Sequence, residues 1–212
     1  MFILTEKPSI ADKFLKELRD ITIQKDGMRF RNNLERLGEI MAYEISKSME
    51  YREDEIQTPL ASMSVKTPEE NPVIFAVLRA SLPFYQGFLN YFDQAESGFI
   101  GAFREEGDSI KINLGYHASP YLEGKTIILA DPMLATGKSF LKSIDTLISH
   151  GTPKIIHIAA VIASPEGIQF LQENLKIPFK LWVGAVDQHL NSKSYIVPGL
   201  GDAGDLAFGQ KI

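Results

Sequence analysis

At 212 residues, 44% hydrophobic and net charge -5, the chain is long enough to bury one core and has no overall basic footprint for nucleic acid. It contains no cysteine, which excludes disulfides and thiolate metal sites. The apolar stretch within residues 1–8 is too short for a signal peptide, and no apolar run reaches the roughly 18 residues of a membrane span. The expectation is a cytoplasmic protein with one domain over residues 1–212, no membrane partner and no nucleic-acid partner.

In chain order, Ser9 and Asp12 form a capping-box pattern, followed by a helical stripe of Ile10, Phe14 and Leu18 through Arg19. Residues 21–28 read as an irregular connection. Residues 30–48 form the strongest helical pattern, with Leu34, Leu37, Met41 and Ile45 on one face, a stripe best explained by core packing. Residues 50–71 are polar and punctuated by Pro59 and Pro68, which predicts an extended or short-strand excursion within the domain. Residues 73–78 form a buried strand ended by Arg79, Ala80 and Ser81, and Pro83 suits the first turn of a helix over 82–92. Residues 98–103 and 110–116 read as strands joined by a polar turn over 104–108, a hairpin returning through Ser119 and Pro120.

Residues 127–130 are a continuous apolar run, as expected for a parallel strand covered on both faces, and Asp131 stands where that strand emerges. After a short loop of small residues, Thr136, Gly137, Lys138 and Ser139 open a helix, whose N-terminal N–H groups suit an anion. That helix carries Phe140, Leu141, Ile144, Leu147 and Ile148 and stops at Gly151. Residues 155–163 are a buried strand, Ser164, Pro165 and Glu166 start a helix running to about residue 175, and 179–186 are the next strand. From Asp187 onward the chain reads as glycine-rich loop. Alternating strands and helices predict a mostly parallel α/β sheet.

An acid at a strand end followed by an anion cradle points to a sugar phosphate. Gly137-Lys138-Ser139 imitates a P-loop, but the first glycine of that pattern falls on Pro132, which lacks the N–H a phosphate nest uses. His117, His150, His157 and His189 have no ligand spacing and read as structural. Taken alone, Arg79 is compatible with a surface ion pair, and Asp131 reads more readily as a helix-cap or turn residue.

The run Asp131-Pro-Met-Leu-Ala-Thr-Gly-Lys-Ser139 closely resembles the phosphoribosyl-binding motif of the uracil phosphoribosyltransferase family. The tail Tyr195-Ile-Val-Pro-Gly-Leu-Gly-Asp-Ala-Gly-Asp205, with Phe208 and Gly209, resembles that family's uracil-recognition loop. Asp187, Leu190 and Asn191, Leu78-Arg79-Ala80, Gly101 to Arg104, and Phe30-Arg31 are similar to further family landmarks. The resemblance implies a type I phosphoribosyltransferase-like α/β fold, a mostly parallel central sheet flanked by helices. A β-hairpin hood over about 103–118 and a base-recognition loop over about 195–209 complete it.

The implied reaction converts uracil and phosphoribosyl pyrophosphate to UMP and diphosphate in pyrimidine salvage. Asp131 would accept hydrogen bonds from the ribose hydroxyls. Pro132, Met133, Leu134, Ala135, Thr136, Gly137, Lys138 and Ser139 would form the phosphoribosyl loop, with residues 135–139 around the 5′-phosphate. Arg79 and Arg104 would neutralise the diphosphate, and Asp202 would contact the sugar-diphosphate or a metal-bound water. Asp131, Arg79 and Asp202 form the catalytic set, while Ile196, Gly201, Asp202 and Ala203 would read uracil through main-chain groups. Mg2+ would be held mainly by the diphosphate substrate, with no protein metal site. The resemblance further implies a homodimer or higher homo-oligomer and makes GTP a candidate activator.

Two departures from the family pattern stand out: Lys138 and Ser81 occupy positions where the family usually has glycine. The alternatives are an RNA-binding pyrimidine-operon regulator on the same scaffold and a catalytically weakened homologue. A nucleotide-binding kinase or ATPase is a third, read from Gly137-Lys138-Ser139.

Overall fold

The computed structural model describes residues 1–105 and 111–210. The chain begins with a short strand β1 (Phe2–Ile3) and helices α1 (Ile10–Arg19) and α2 (Gly27–Ser46). Strands β2 (Tyr51–Gln57), β3 (Ser62–Pro68) and β4 (Val73–Leu78) lead into α3 (Leu82–Leu89). Strands β5 (Ser97–Glu105), β6 (Lys111–Ala118), β7 (Thr126–Ala130) and β8 (Met133–Leu134) precede α4 (Lys138–Leu147). Then come β9 (Ile155–Ala163), α5 (Pro165–Asn174), β10 (Phe179–Val186), β11 (His189–Leu190), β12 (Ile196–Val197) and α6 (Ala203–Phe208).

The main sheet runs β1-β10-β9-β7-β4-β5-β6, with β8 also pairing β9. Its pairings are parallel except β5 with β6. The apolar runs read from sequence are explained by the two cores that the sheet separates. Ile74 and Ala76 of β4 and Ile128 and Ala130 of β7 face a core shared with α1, α2 and α3. Their neighbours Val73, Phe75, Val77, Ile127 and Leu129 face the opposite core, shared with α4 and α5. Because successive side chains alternate sides, a strand covered on both faces needs apolar residues throughout. The expected mostly parallel central sheet flanked by helices is the architecture observed. Among the described residues no helix is long and apolar enough to cross a membrane.

Several elements differ from the sequence reading. In α1 the capping box between Ser9 and Asp12 is present, but Ala11, Leu15 and Leu18 are the buried stripe and Ile10 is 59% exposed. The helix is rotated by about one residue, since the position just after the N-cap faces solvent. Helix α2 starts at Gly27, inside the expected connection, because the Asp26 carboxylate caps it by accepting from the Met28 and Arg29 N–H groups. The excursion over 50–71 is an antiparallel hairpin of β2 and β3, a sheet of its own beside the main one. Strand β5 extends through Glu105, past the start of the expected turn. The β5–β6 pair is the antiparallel end of the main sheet, from Phe99 opposite Ala118 to Glu105 opposite Lys111. The part of the turn over 106–108, and Ile110, lie outside the described residues. Met133 and Leu134, expected in a loop, form β8 beside Ile162 and Ala163. The tail expected as loop contains the β11–β12 hairpin and α6.

Parallel strands end on one edge. Arg79 follows β4, Asp131 follows β7, Ser164 follows β9 and Asp187 follows β10, so one rim collects a residue from each.

Candidate active site

The segment after β7 is fastened to its neighbours at nearly every residue. The Asp131 N–H donates to Ala159 O at 3.1 Å, and Asp131 Oδ1 accepts the Met133 N–H at 3.1 Å, which closes a tight turn. Pro132 O accepts from both Val161 and Ile162 N–H at 3.0 Å. Leu134 O accepts the Ser164 N–H at 2.9 Å, while the Ser164 hydroxyl donates to Ala135 O at 2.7 Å. Within the segment that a P-loop would wrap around phosphate, Met133 and Leu134 are instead paired into the sheet, which with Pro132 counts against the ATPase reading.

Gly137 is the N-cap of α4 at φ 75°, and a Cβ there would lie 2.9 Å from Gly167 O. Only glycine combines that left-handed backbone with that close approach. Helix α4 thereby points its N-terminus and positive dipole end to the same rim as Asp131. Thr136 Oγ1 accepts the Lys138 N–H at 3.4 Å. Lys138 is exposed and is the first helical residue, so the left-handed conformation falls on Gly137 alone. The side chain at 138 adds a positive charge without a backbone penalty.

Arg79 follows β4 across a cis Leu78–Arg79 peptide bond. Its Nη2 donates to Asp205 Oδ1 at 3.2 Å and to Gly209 O at 3.3 Å. Its Nε–H is buried with no acceptor among the described residues. Ser81, the second departure from glycine, is fully buried at φ -73° and donates its hydroxyl to Val77 O at 2.6 Å. A side chain is accommodated there and ties the end of β4 to the start of α3. Arg104 lies on β5 with its Cα opposite Ile112.

The tail is built as tightly. Its hairpin pairs His189 with Val197 and Leu190 with Ile196, and the Leu190 N–H donates to Glu166 Oε1 at 2.9 Å. That hydrogen bond holds the Glu166 carboxyl below the ordinary carboxylate range. Beyond a cis Val197–Pro198 bond, Gly199 (φ 65°) and Gly201 (φ 92°) turn the chain toward α6. Asp202 caps α6 by accepting the Asp205 N–H at 3.0 Å, and its side chain is otherwise exposed at the rim. Ile196 and Ala203 are buried, which leaves their main-chain groups as what they can offer a ligand. Arg31 anchors α6 to α2 by donating to Ala207 O at 2.7 Å.

The structure thus brings Asp131, residues 132–139, Arg79, Asp202 and the turn over 196–203 to the strand-end rim of the main sheet. The Arg79–Asp205 pair bridges the β4 end and the tail. Two residues to which sequence reasoning gave no role also stand there. Arg19 and Asp187 form a two-pronged ion pair at 2.6 and 2.8 Å beneath the tail. The available signals were an arginine closing α1 and an acid directly after a buried strand, each ordinary when taken separately. His157 belongs elsewhere: it is buried on β9, accepts the Trp182 indole N–H on Nδ1 at 2.9 Å, and has a pKa pushed down to about 4 by burial and by nearby Lys180.

Comparisons with known proteins find relatives that span nearly the whole chain. A family model described as uracil phosphoribosyltransferase matches residues 5–210. A Porphyromonas gingivalis protein of that name is 45% identical over 206 residues, covering 96% of this chain and 95% of that protein. A Pyrococcus furiosus protein of the same name is 38% identical over 216 residues, covering 100% and 91%. A solved structure from Aquifex aeolicus superposes with a TM-score of 0.87 at 31% identity, covering 97% of both chains.

Proposed function

The chain belongs to the uracil phosphoribosyltransferase family, and on that premise we infer that it is a pentosyltransferase acting on uracil and phosphoribosyl pyrophosphate. It releases UMP and diphosphate, in pyrimidine salvage. The C1–oxygen bond to diphosphate breaks, uracil N1 forms the new bond to C1, and the N1 proton is lost. The observation that carries this reading is the convergence, on one rim, of a strand-end acid, a helix N-terminus, a half-buried arginine and a turn that offers main-chain groups.

Each part has a physical role. The 5′-phosphate lies against the N-terminus of α4, held by the N–H groups and hydroxyls of residues 135–139, with Lys138 adding positive charge. The Asp131 carboxylate accepts the ribose hydroxyls and fixes C1 for an in-line exchange. Arg79 turns its buried Nε–H and its Nη groups to the departing diphosphate, aided by Arg104, a two-pronged recognition for which guanidinium is suited. As charge develops on the leaving group, these fixed donors stabilise it without reorganising. Main-chain groups of Ile196, Gly201, Asp202 and Ala203 read uracil's alternating carbonyls and N–H groups. Cytosine would face a donor with a donor, leaving buried polar groups unpaired.

The hard oxygen donors at this rim, Asp131 and Asp202, suit magnesium carried on the diphosphate through substrate oxygens and water. When bound, the metal supplies neutralisation of the leaving diphosphate. A cytoplasmic address and GTP as a candidate activator follow from the family alone. A homo-oligomer has structural support in the β2–β3 hairpin, which exposes Tyr51, Ile56, Leu60 and Met63. The test of function is UMP formation from uracil and phosphoribosyl pyrophosphate with magnesium, with hypoxanthine as control. Turnover confined to uracil supports the reading, and no UMP at any enzyme concentration refutes it.

A further inference from the structure

The turn that precedes the base-reading residues is gripped at both ends of a single residue. Asp187, directly after β10, is buried and donates its N–H to Ala163 O at 2.8 Å. Its Oδ1 accepts Arg19 Nη2 at 2.6 Å, and its Oδ2 accepts both Arg19 Nη1 at 2.8 Å and the Gly199 N–H at 2.9 Å. Arg19 Nη1 also donates to Gly199 O at 2.9 Å. One partner of the ion pair therefore holds the N–H of Gly199 and the other holds its C=O. Gln24 extends the grip by donating from Nε2 to Leu200 O at 3.3 Å and to Leu18 O and Arg19 O at 3.0 and 3.1 Å.

A buried ion pair is a poor device for stability, because desolvation offsets most of the attraction. Its side chains are only 23% and 4% exposed for Arg19 and Asp187 respectively, so that cost is incurred here. What the pair supplies is orientation. Gly199 sits at φ 65°, and a Cβ on it would lie 2.2 Å from Ile196 O, so the turn folds directly onto one base-reading residue. The next residues in the chain after Leu200 are the others, Gly201, Asp202 and Ala203. The Asp187 carboxylate already accepts three hydrogen bonds, which suits it to holding the turn rather than to touching a substrate.

We propose that Arg19 and Asp187 are positioning residues that set the orientation of the uracil-reading turn from the C-terminal end of α1. The inference rests on the function proposed above and adds to it a specificity-determining pair outside the two motifs. Disturbing it weakens uracil binding while leaving the phosphoribosyl side of the site unchanged.

The test compares wild type, Arg19→Lys, Arg19→Gln and Asn33→Ala in the full chain. Asn33 is buried, donates to Glu17 Oε2 at 2.8 Å and accepts from Arg36 at 3.0 Å, neither of them a tail residue, so its removal controls for general destabilisation. Steady-state rates give KM for both substrates, and amide hydrogen exchange without substrate reads the tail directly. Arg19→Gln is expected to raise the uracil KM about tenfold or more, with the phosphoribosyl pyrophosphate KM within about twofold of wild type. Exchange over 199–203 is expected to accelerate. Arg19→Lys keeps the charge but not the fork and should fall between, which also serves if Arg19→Gln does not fold. An unchanged uracil KM in Arg19→Lys and Arg19→Gln, both KM values rising together, or the same split in Asn33→Ala would overturn the proposal. If wild type makes no UMP, the assigned function falls. Hydrogen exchange then still decides the grip: unchanged exchange over 199–203 in Arg19→Gln refutes it.

Discussion

Replacing Asp131 by Asn separates two jobs performed by one carboxylate. The first job is structural: Oδ1 accepts the Met133 N–H at 3.1 Å and closes the turn into β8. Asparagine presents the same Oδ1, so the turn survives and the stability change should stay within about 0.5 kcal/mol. The second job is to accept the ribose hydroxyls with a charged oxygen. A hydrogen bond to an ionised group contributes about 1.5–3 kcal/mol, against about 0.5–1.5 kcal/mol for a neutral pair. Two hydroxyls therefore lose about 2–3 kcal/mol between them, which at about 1.4 kcal/mol per decade is about 30- to 140-fold in kcat/KM. The assay is initial-rate UMP formation over a range of phosphoribosyl pyrophosphate concentrations, with urea unfolding of the same preparations. Asp131→Ala serves as comparator and should lose the turn as well, at about 1 kcal/mol of stability. Wild-type kcat/KM in Asp131→Asn, or equal loss of stability in the two variants, would show that the carboxylate only builds the turn.

Two further outcomes follow from side chains outside that turn. Lys138→Gly removes a charge from the N-terminus of α4 and should raise the phosphoribosyl pyrophosphate KM about three- to tenfold with the uracil KM unchanged; an unchanged phosphoribosyl pyrophosphate KM would refute the role. His157 has a pKa of about 4 in the folded chain, against 6.5 when unperturbed. Across that window the unfolded chain binds the proton and the folded chain does not, so this contribution is complete above pH 6.5 and is lost as pH falls toward 4. The loss is on the order of 3 kcal/mol at its full extent. His157→Gln keeps an acceptor for the Trp182 N–H and should flatten the dependence between pH 7 and 5. Urea midpoints followed by emission of the chain's single tryptophan read this directly, and an identical pH slope in both proteins would contradict it.

The central strands were legible because burial on both faces leaves no choice of residue. Strands β4, β9 and β10 have the bounds read from sequence, and β7 begins one residue earlier, at Thr126. The rim was legible too, since Asp131 and the start of α4 follow β7 in unbroken sequence. Elements fixed by tertiary contact were not. Helix α6 spans six residues with a glycine among them, too short for a periodic pattern, and it is held by the Asp202 cap and by Arg31. The buried face of α1 was misread by one position because Ile10 is apolar yet stands where the helix leaves the core. Arg19 and Asp187 lie 168 residues apart, and no local pattern links an arginine at one helix end to an acid after the last long strand. The Lys138 and Ser81 departures were visible, but their tolerance was not. It depends on Gly137 alone taking the left-handed turn and on the Ser81 hydroxyl reaching Val77 O.

The most direct test of the account is the ratio of initial rates with uracil and with cytosine at the same enzyme, magnesium and phosphoribosyl pyrophosphate concentrations. Main-chain groups fixed to uracil's pattern predict a preference on the order of 10⁴ in kcat/KM, because cytosine leaves buried donors unpaired. Comparable rates with the two bases, or turnover of neither, would contradict it.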